Sequence, residues 1–226
     1  MKLIIQIPCL NEEQTLPGTY GDLPLGMPGI EVIETMVIDD GSTDNTVEVA
    51  RSLGVNHVIV NKRNLGLAKS FRRGLDEALR LGADIIVNTD GDNQYAGWEI
   101  PKLVQPILEG KADIVIGDRQ TDQIPHFSKR KKWLQRFGSA VVRRLSGTNI
   151  PDTVSGFRAI SREAALTLNI ISPFSYTIEM IIQAGKKNMA IASVPVATNE
   201  KTRDSRLFRS IPHFVGRQLS SMIRMY

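Results

Sequence analysis

The chain has 226 residues, 42% of them hydrophobic, and a formal net charge of +4 at pH 7. This length and apolar content allow one full hydrophobic core, which excludes a disordered chain. The single cysteine, Cys9, excludes an internal disulfide framework and favours a reducing compartment, most simply the cytosol. We expect neither a signal peptide nor a membrane span, because the opening apolar run is short and no stretch reaches roughly 18 apolar residues.

Strand-like and helix-like segments alternate through the first half of the chain. Their periodicities predict strands at residues 3–7, 32–39, 57–60, 84–89 and 113–117, and helices at residues 44–53, 67–81 and 97–109. Such alternation is typical of an α/β fold with a mostly parallel, Rossmann-like sheet and helices on both faces. Ligands bind such sheets at the carboxyl ends of the strands, where the polar motifs of this sequence fall.

The second half is less regular. The pattern predicts helices at residues 128–145, 162–168 and 177–184, a short segment at 155–160, a strand at 189–196, a polar loop at 197–206 and an amphipathic helix at 210–226. No linker or repeat divides the chain.

Two acidic residues, Asp90 and Asp92, end the fourth predicted strand. Mg²⁺ keeps several waters and binds through one or two carboxylates together with phosphate oxygens. Two carboxylates at the end of a buried strand therefore predict a site that holds a divalent cation against a diphosphate.

Two more polar motifs follow the first two predicted strands. Residues 8–13 read Pro-Cys-Leu-Asn-Glu-Glu, in which Asn11 can cap a following helix. Residues 37–44 read Val-Ile-Asp-Asp-Gly-Ser-Thr-Asp, in which Gly41 permits a tight turn and Asp44 is the expected N-cap. Helix capping and ligand binding explain each motif equally well when it is taken alone.

The order of the motifs is more informative than any one of them. Strand–P-x-x-N-E, strand–D-D-G-S-x-D, Arg63-Asn64-x-Gly66 and strand–D-x-D follow one another, and from residue 1 to about 206 the chain resembles a family 2 glycosyltransferase with the GT-A fold. The resemblance implies a catalytic domain at 1–207, with a nucleotide-sugar half at 1–118 and an acceptor half at 119–207. It leaves residues 208–226 as an amphipathic helix near the membrane.

The resemblance also implies a donor site at the strand ends. Asp90, Asp92 and Gln94 are expected to hold Mg²⁺ or Mn²⁺ on the donor diphosphate. A carboxylate such as Asp39 at a strand end is a natural acceptor for ribose hydroxyls or a base N–H. The residues expected to line the donor nucleotide pocket are Pro8, Asn11, Glu12, Asp39, Asp40, Asn64, Asp90 and Gly91.

Four further matches are similar to the branch related to dolichol-phosphate mannose synthase. They are D-x-D-x-Q at 90–94, G-D-R at 117–119, S-G-F-R at 155–158 and R-D-S-R at 203–206. That branch attaches sugars to polyprenyl phosphates at the membrane surface. A lipid phosphate has a second pKa of about 6, so it attacks without a dedicated general base and needs only cations to position it. The residues expected to bind this phosphate are Arg119, Ser155, Arg158, Arg203, Ser205 and Arg206; the arginines can equally clamp the donor diphosphate.

Glu179 lies in an otherwise apolar helical segment. In related enzymes an acid near the acceptor usually occupies this position, so Glu179 joins Asp92, Arg119 and Arg203 as expected catalytic residues. An ion pair with Arg158 or Arg119 explains Glu179 equally well.

Two basic amphipathic segments suit a membrane surface. One contains the basic run at 129–132 with Trp133 and Phe137, and the other is the last helix. Such segments predict peripheral binding at the cytoplasmic face of an anionic membrane, although covering the domain's own core explains them equally well. We expect no nucleic-acid partner, because the basic run offers only two aromatic residues for stacking and no recognised binding motif.

The leading hypothesis is a metal-dependent inverting glycosyltransferase that moves a sugar from a GDP- or UDP-linked donor to a polyprenyl phosphate. A rival reading keeps the donor and uses a hydroxyl acceptor, which requires Glu179 or Asp152 as a base. A nucleotidyltransferase is a weaker alternative, because residues 8–12 lack the Gly-rich loop that such enzymes place after the first strand. The sequence leaves the sugar, the nucleobase and the oligomeric state open.

Overall fold

The computed structural model describes residues 1–120, 129–172 and 175–200, and it describes only the backbone of residues 129–137. The elements in chain order are β1 (Lys2–Cys9), α1 (Leu16–Gly21), β2 (Val32–Asp39), α2 (Thr46–Ser52), β3 (His57–Val60), α3 (Leu67–Arg80), β4 (Ile85–Asn88), α4 (Ile100–Leu108), β5 (Ile114–Asp118), α5 (Lys129–Ser146), β6 (Arg158–Ser161), α6 (Arg162–Thr167), α7 (Thr177–Lys186) and β7 (Ile191–Pro195). A 3₁₀ turn, Gly97–Glu99, precedes α4. None of the helices in these three ranges is both long and apolar enough to span a bilayer.

The strands form one sheet in the order β3-β2-β1-β4-β6-β5-β7. Neighbouring strands are parallel except that β6 runs antiparallel to both β4 and β5. The register pairs Cys9 with Asp39, so the loops after β1 and β2 leave the sheet side by side. It also pairs Asn88 with Arg158, which places the start of β6 at the edge where β4 ends. This topology confirms the predicted mostly parallel sheet and gathers the polar motifs at one edge.

Hydrophobic residues cover both faces of the sheet. Ile4 of β1 packs in one cluster with Phe71 of α3, whereas Ile5 packs in a second cluster with Leu103 of α4. This alternation follows from the two-residue period of a strand. Each large side chain buried in this way contributes about 1.5–3 kcal/mol relative to exposure, so both helix layers hold the sheet edge in place.

Three predicted features differ from the structure or lie outside it. A helix, α1, follows the first strand as expected but begins only at Leu16, and residues 158–161 form a strand rather than an undefined segment. The predicted amphipathic helix at 210–226 lies outside the described residues. The division into a donor half at 1–118, an acceptor half at 119–207 and a terminal segment at 208–226 stays a prediction.

Candidate functional site

The loop after β1 contacts the D-x-D loop directly. A Cβ added to Gly91 would lie 2.9 Å from the sulfur of Cys9 and 3.3 Å from Cγ of Glu12. The hydroxyl of Thr15 lies 2.8 Å from the carbonyl oxygen of Gly91 and 2.7 Å from Oε2 of Glu12. The structure therefore brings Pro8, Glu12 and Gly91, all expected at the donor pocket, to one place.

Asn11 joins the loops after β1 and β2. Its backbone has a φ of 55°, in the left-handed region that asparagine tolerates better than most residues. Its side-chain oxygen accepts the N–H of Thr43 at 2.8 Å, and its own N–H donates to the hydroxyl of Ser42 at 2.9 Å. The expectation that Asn11 caps a helix is wrong, because α1 begins five residues later at Leu16.

The cap of α2 is displaced by one residue from the expected position. Asn45 is the N-cap, and Asp44 precedes it. Asp44 still accepts the N–H of Thr46 at 3.1 Å and its hydroxyl at 2.5 Å. The carboxylate of Asp44 therefore accepts hydrogen bonds from the first residue of α2, and its negative charge is favourable at the helix N-terminus.

Asp39 carries a buried carboxylate oxygen to which the described residues donate no hydrogen bond. Its Oδ2 accepts the N–H groups of Gly41 and Ser42 at 3.2 Å each. Its Oδ1 is buried and meets no hydrogen-bond donor among the described residues. A buried acceptor without a partner costs about 1–3 kcal/mol, so a ligand that supplies an N–H or O–H at this point gains that energy. The geometry suits the expected donor pocket.

That Asp40 lines the donor pocket stays a prediction, and the structure shows a further function of this residue. Its carboxylate is 4% exposed and holds the loop that carries the R-N-x-G motif. Oδ1 accepts the side-chain amide of Asn61 at 2.9 Å and the N–H of Leu65 at 2.8 Å, and Oδ2 accepts the N–H of Gly66 at 2.9 Å. Its role is to position the loop on which the exposed Asn64 lies.

We expect Asp40→Asn to destabilise this loop. The amide keeps the shape of the side chain, but its NH₂ group cannot accept a hydrogen bond from the backbone N–H that it faces. The remaining hydrogen bonds to this side chain lose their charged acceptor. Hydrogen bonds to charged groups contribute about 1.5–3 kcal/mol, so the free energy of unfolding should fall by about that amount. Urea denaturation measures it. The exposed Asp76→Asn on α3 is the matched control, and equal denaturation midpoints for both variants would contradict the assignment.

The D-x-D loop presents two carboxylates at the end of β4. Oδ1 of Asp92 accepts the N–H of Gln94 at 3.2 Å, and the carboxylate of Asp90 lies against the backbone of Gly156. Within the described ranges no three His, Cys, Asp or Glu side chains are grouped to hold a metal by themselves. Two carboxylates suit Mg²⁺ or Mn²⁺ when phosphate oxygens and water complete the coordination. The expected role of the Gln94 side chain as a ligand stays a prediction.

The segment after β7 runs beside the D-x-D loop. The N–H of Asn199 donates to the carbonyl of Gln94 at 2.9 Å, and its side-chain amide donates to Asp22 at 2.9 Å. Ala197 donates its N–H to Glu99 at 3.1 Å. Residues 197–199 therefore lie next to the expected metal ligands. The predicted site residues Arg203, Ser205 and Arg206 lie outside the described residues.

Arg119, which follows β5, forms a bidentate ion pair with Asp152. Its Nε and Nη2 donate to the two carboxylate oxygens of Asp152 at 2.7 and 2.9 Å. Burial alone would raise the pKa of Asp152, but the Arg119 charge and hydrogen bonds lower it below its ordinary value. Asp152 is therefore ionised with both oxygens engaged, which is a poor state for a general base. The Arg119 side chain is 19% exposed.

Arg158 and Ser155, both expected to bind the acceptor phosphate, are buried and bonded to the protein's own backbone. Arg158 is fully buried, and its guanidinium donates to the carbonyl oxygens of Ser155, Thr177 and Thr153 at 2.8, 2.7 and 3.0 Å. Burial lowers its pKa to about 10, so it stays charged at neutral pH. Ser155 is also fully buried, and its hydroxyl accepts the N–H of Phe157 at 3.3 Å. Both side chains hold the 153–158 turn in this structure, and their acceptor roles stay a prediction.

Glu179 also has a role that neither reading of the sequence anticipated. It is 1% exposed and lies in the first turn of α7. Its two oxygens accept the N–H groups of Ile171 and Ser172 at 2.9 and 2.8 Å. The carboxylate therefore fixes the loop before α7, and the expected pairing with Arg158 is replaced by Arg158's bonds to carbonyls.

Sequence reasoning missed a buried polar cluster beneath Asp90. The N–H of Gly156 donates to the hydroxyl of Tyr95, and its carbonyl accepts the side-chain amide of Asn88 and the hydroxyl of Tyr176. We name these four residues the Gly156 cradle. The available signal was an asparagine inside an apolar strand, since a buried amide requires partners.

The chain resembles several known proteins. The profile of glycosyl transferase family 2 matches residues 4–168. The chain is 31% identical over 197 residues to glycosyltransferase AglJ of Haloferax volcanii, covering 84% of this chain and 61% of that protein. It is 26% identical over 211 residues to polyprenol monophosphomannose synthase of Mycolicibacterium smegmatis, covering 88% and 78%. It is 29% identical over 211 residues to dolichol-phosphate mannosyltransferase of Pyrococcus furiosus, covering 90% and 58%. The chain thus spans less than two thirds of the Haloferax and Pyrococcus proteins.

Solved structures share the fold. Glucosyl-3-phosphoglycerate synthase from Mycobacterium tuberculosis, in complex with Mn²⁺, UDP and phosphoglyceric acid, superposes with a TM-score of 0.74 at 23% identity, covering 97% of this chain and 78% of that chain. Its complex with Mg²⁺ and UDP gives 0.70 at 22% identity, covering 97% and 78%. These superpositions confirm the predicted GT-A fold. Because the family profile spans most of the chain and the relatives are named for sugar transfer, this chain is a glycosyltransferase that belongs to glycosyl transferase family 2.

Proposed function

We propose that the enzyme is a metal-dependent inverting glycosyltransferase that moves a sugar from a nucleoside diphosphate donor to a polyprenyl phosphate. The observation that carries the proposal is the edge where Asp39, Glu12, Gly91 and Asp90 converge. At this edge a buried carboxylate oxygen of Asp39 has no hydrogen-bond donor among the described residues. Two half-buried aspartates, Asp90 and Asp92, follow β4 there. The Mycolicibacterium and Pyrococcus relatives are named for polyprenol and dolichol phosphate acceptors, which supports the acceptor class.

Each donor-site residue has a distinct task in this proposal. Asp39 accepts an N–H or O–H from the nucleoside, and the loop held by Asp40 packs against Gly41 beside it. Asp90 and Asp92 hold the cation on the donor diphosphate. When bound, Mg²⁺ or Mn²⁺ supplies Lewis-acid neutralisation of the leaving nucleoside diphosphate. A carboxylate such as that of Asp39 accepts a ring N–H of guanine or of uracil, so both GDP- and UDP-linked sugars fit this proposal.

The acceptor side needs cationic positioning rather than proton removal. The phosphate oxygen attacks the anomeric carbon in line with the departing diphosphate, through a transition state of oxocarbenium character, so the configuration inverts. Because Asp152 offsets most of the charge of Arg119, we propose that Arg119 orients the phosphate and that Arg203 supplies the principal positive charge that binds it. Asn199, four residues before Arg203 in the sequence, lies beside Gln94.

The hydroxyl-acceptor rival is less favoured by these contacts. Its two candidate bases are Asp152, held ionised by Arg119, and Glu179, whose oxygens both accept backbone N–H groups. The Arg119 ion pair holds the pKa of Asp152 below its ordinary value, and both oxygens of Glu179 already accept hydrogen bonds, so neither carboxylate is placed to take a proton from a hydroxyl.

Glycolipid synthesis is the direct test. The purified protein is given radiolabelled UDP- and GDP-sugars with undecaprenyl phosphate in detergent, or with an oligosaccharide as the alternative acceptor. We expect label in the organic phase with the phosphate acceptor, an inverted anomeric configuration by NMR, and loss of product in EDTA that Mg²⁺ or Mn²⁺ restores. Transfer to the oligosaccharide alone would reject the proposed acceptor.

Arg203→Ala tests the acceptor assignment. A charge-assisted hydrogen bond is worth about 1.5–3 kcal/mol, so the KM for undecaprenyl phosphate should rise about 10- to 100-fold while the donor KM stays unchanged. Steady-state kinetics with each substrate varied separately measure both constants. The exposed Arg51→Ala is the control. Equal increases in the two KM values would show that Arg203 serves the donor diphosphate instead.

We also propose that the enzyme works at the cytoplasmic face of a membrane, because its proposed acceptor is a lipid. The basic segments at 129–137 and 208–226 are the candidates for this contact.

A further inference from the structure

The Gly156 cradle holds one peptide unit from both sides. Tyr95 accepts the N–H of Gly156 at 2.9 Å. Asn88 and Tyr176 donate to its carbonyl oxygen at 2.9 and 3.2 Å, and Asn88 also donates to the Tyr176 hydroxyl at 2.8 Å. These contacts link β4, the loop that follows it, the start of β6 and the residue before α7.

Glycine is required at position 156 by space and not by backbone conformation. Its φ is not among the positive values of this chain. A Cβ added here would lie 3.0 and 3.2 Å from the two carboxylate oxygens of Asp90 and 3.1 Å from the hydroxyl oxygen of Tyr176. Contacts this short are tighter than most real Cβ contacts, so a side chain here would require the Asp90 carboxylate or the Tyr176 hydroxyl to shift by a few tenths of an ångström.

The cradle is rigid because both of its tyrosine rings are packed against phenylalanines. Tyr176 stacks on Phe71 with ring centroids 3.6 Å apart, and Tyr95 stacks on Phe157 at 5.0 Å. The side chains of Asn88, Tyr95 and Tyr176 are at most 4% exposed. Water therefore does not compete for these bonds, and the surface on which Asp90 lies is fixed before any ligand binds.

We propose that the Gly156 cradle positions the Asp90 carboxylate for the donor-bound divalent cation. This inference rests on the proposed function, in which Asp90 is a metal ligand. Asn88, Tyr95 and Tyr176 touch neither metal nor substrate in this proposal; they are positioning residues that act through Gly156. Groups that support a metal ligand in this way typically change metal affinity about 10- to 100-fold when they are replaced.

The test measures metal binding itself. Mn²⁺ is titrated into the full-length protein with saturating UDP or GDP, whichever the wild type binds, and free Mn²⁺ is followed by electron paramagnetic resonance. We expect Tyr95→Phe and Gly156→Ala to weaken Mn²⁺ binding about tenfold or more, whereas nucleotide binding in EDTA stays within about twofold of wild type. Tyr20→Phe, a tyrosine of α1 outside the cradle, is the matched control and should bind Mn²⁺ like the wild type.

The outcomes separate this inference from the proposed function. No Mn²⁺-dependent nucleotide binding by the wild type would reject the metal site and this inference with it. Wild-type binding with unchanged Mn²⁺ affinity in both cradle variants would reject the inference alone. An equal loss of nucleotide binding in EDTA would also reject it, because general damage to the pocket would then be the cause. If Gly156→Ala does not fold, Tyr176→Phe replaces it, since the ring and its stacking on Phe71 remain.

Discussion

Asp92→Asn is expected to abolish nearly all turnover while leaving the fold intact. The amide has the size of the carboxylate but lacks its charge, so the proposed cation site loses half of its protein charge. A Lewis-acid contribution of several kcal/mol corresponds to a loss of about 10³-fold in kcat, at 1.36 kcal/mol per tenfold. Asp92 lies half-buried in a loop rather than in either hydrophobic cluster, so the melting temperature should not change.

Activity and stability are measured on the same preparation. Transfer from the radiolabelled donor gives kcat at saturating Mg²⁺ or Mn²⁺, and thermal denaturation gives the melting temperature. Asp76→Asn, an exposed aspartate on α3, controls for the loss of one charge. Wild-type turnover in Asp92→Asn would remove Asp92 from the metal site.

Arg158→Met is expected to lower the free energy of unfolding by at least about 3 kcal/mol. Methionine fills much of the space but donates no hydrogen bonds, so the carbonyl oxygens of Ser155 and Thr153 lose the guanidinium donors, and Thr177 at the start of α7 loses one as well. Each buried acceptor left unsatisfied costs about 1–3 kcal/mol. Urea denaturation measures the loss, with the exposed Arg80→Met as the control.

Kinetics on the folded variant distinguish a structural arginine from one that binds the acceptor. At a temperature where Arg158→Met remains folded, we expect an unchanged KM for the polyprenyl phosphate, because the guanidinium is fully buried. Wild-type stability combined with a raised acceptor KM would restore the role that the S-G-F-R motif suggested.

The sequence by itself determined most of the elements and the strand ends at which the polar motifs lie. The pattern predicts strand 32–39 and helix 67–81, and the structure has Val32–Asp39 and Leu67–Arg80. Strand alternation, helical periodicity and turn residues act within a few positions of each other, so they are readable from a single chain. The motifs at the strand ends indicated the family for the same reason, since their order and spacing are properties of the sequence.

Only the tertiary structure decided what individual charged side chains do. Asp39 and Asp40 are neighbours in the sequence, yet one leaves a carboxylate oxygen without a partner and the other holds a loop 25 residues away. The guanidinium of Arg158 donates to backbone carbonyl oxygens as far as 19 residues along the chain. The Gly156 cradle joins residues that lie 68 positions apart. A buried polar side chain needs a hydrogen-bond partner in place of water, and that partner decides what the side chain does. Folding brings the partner from a distant part of the chain, which no local sequence pattern specifies.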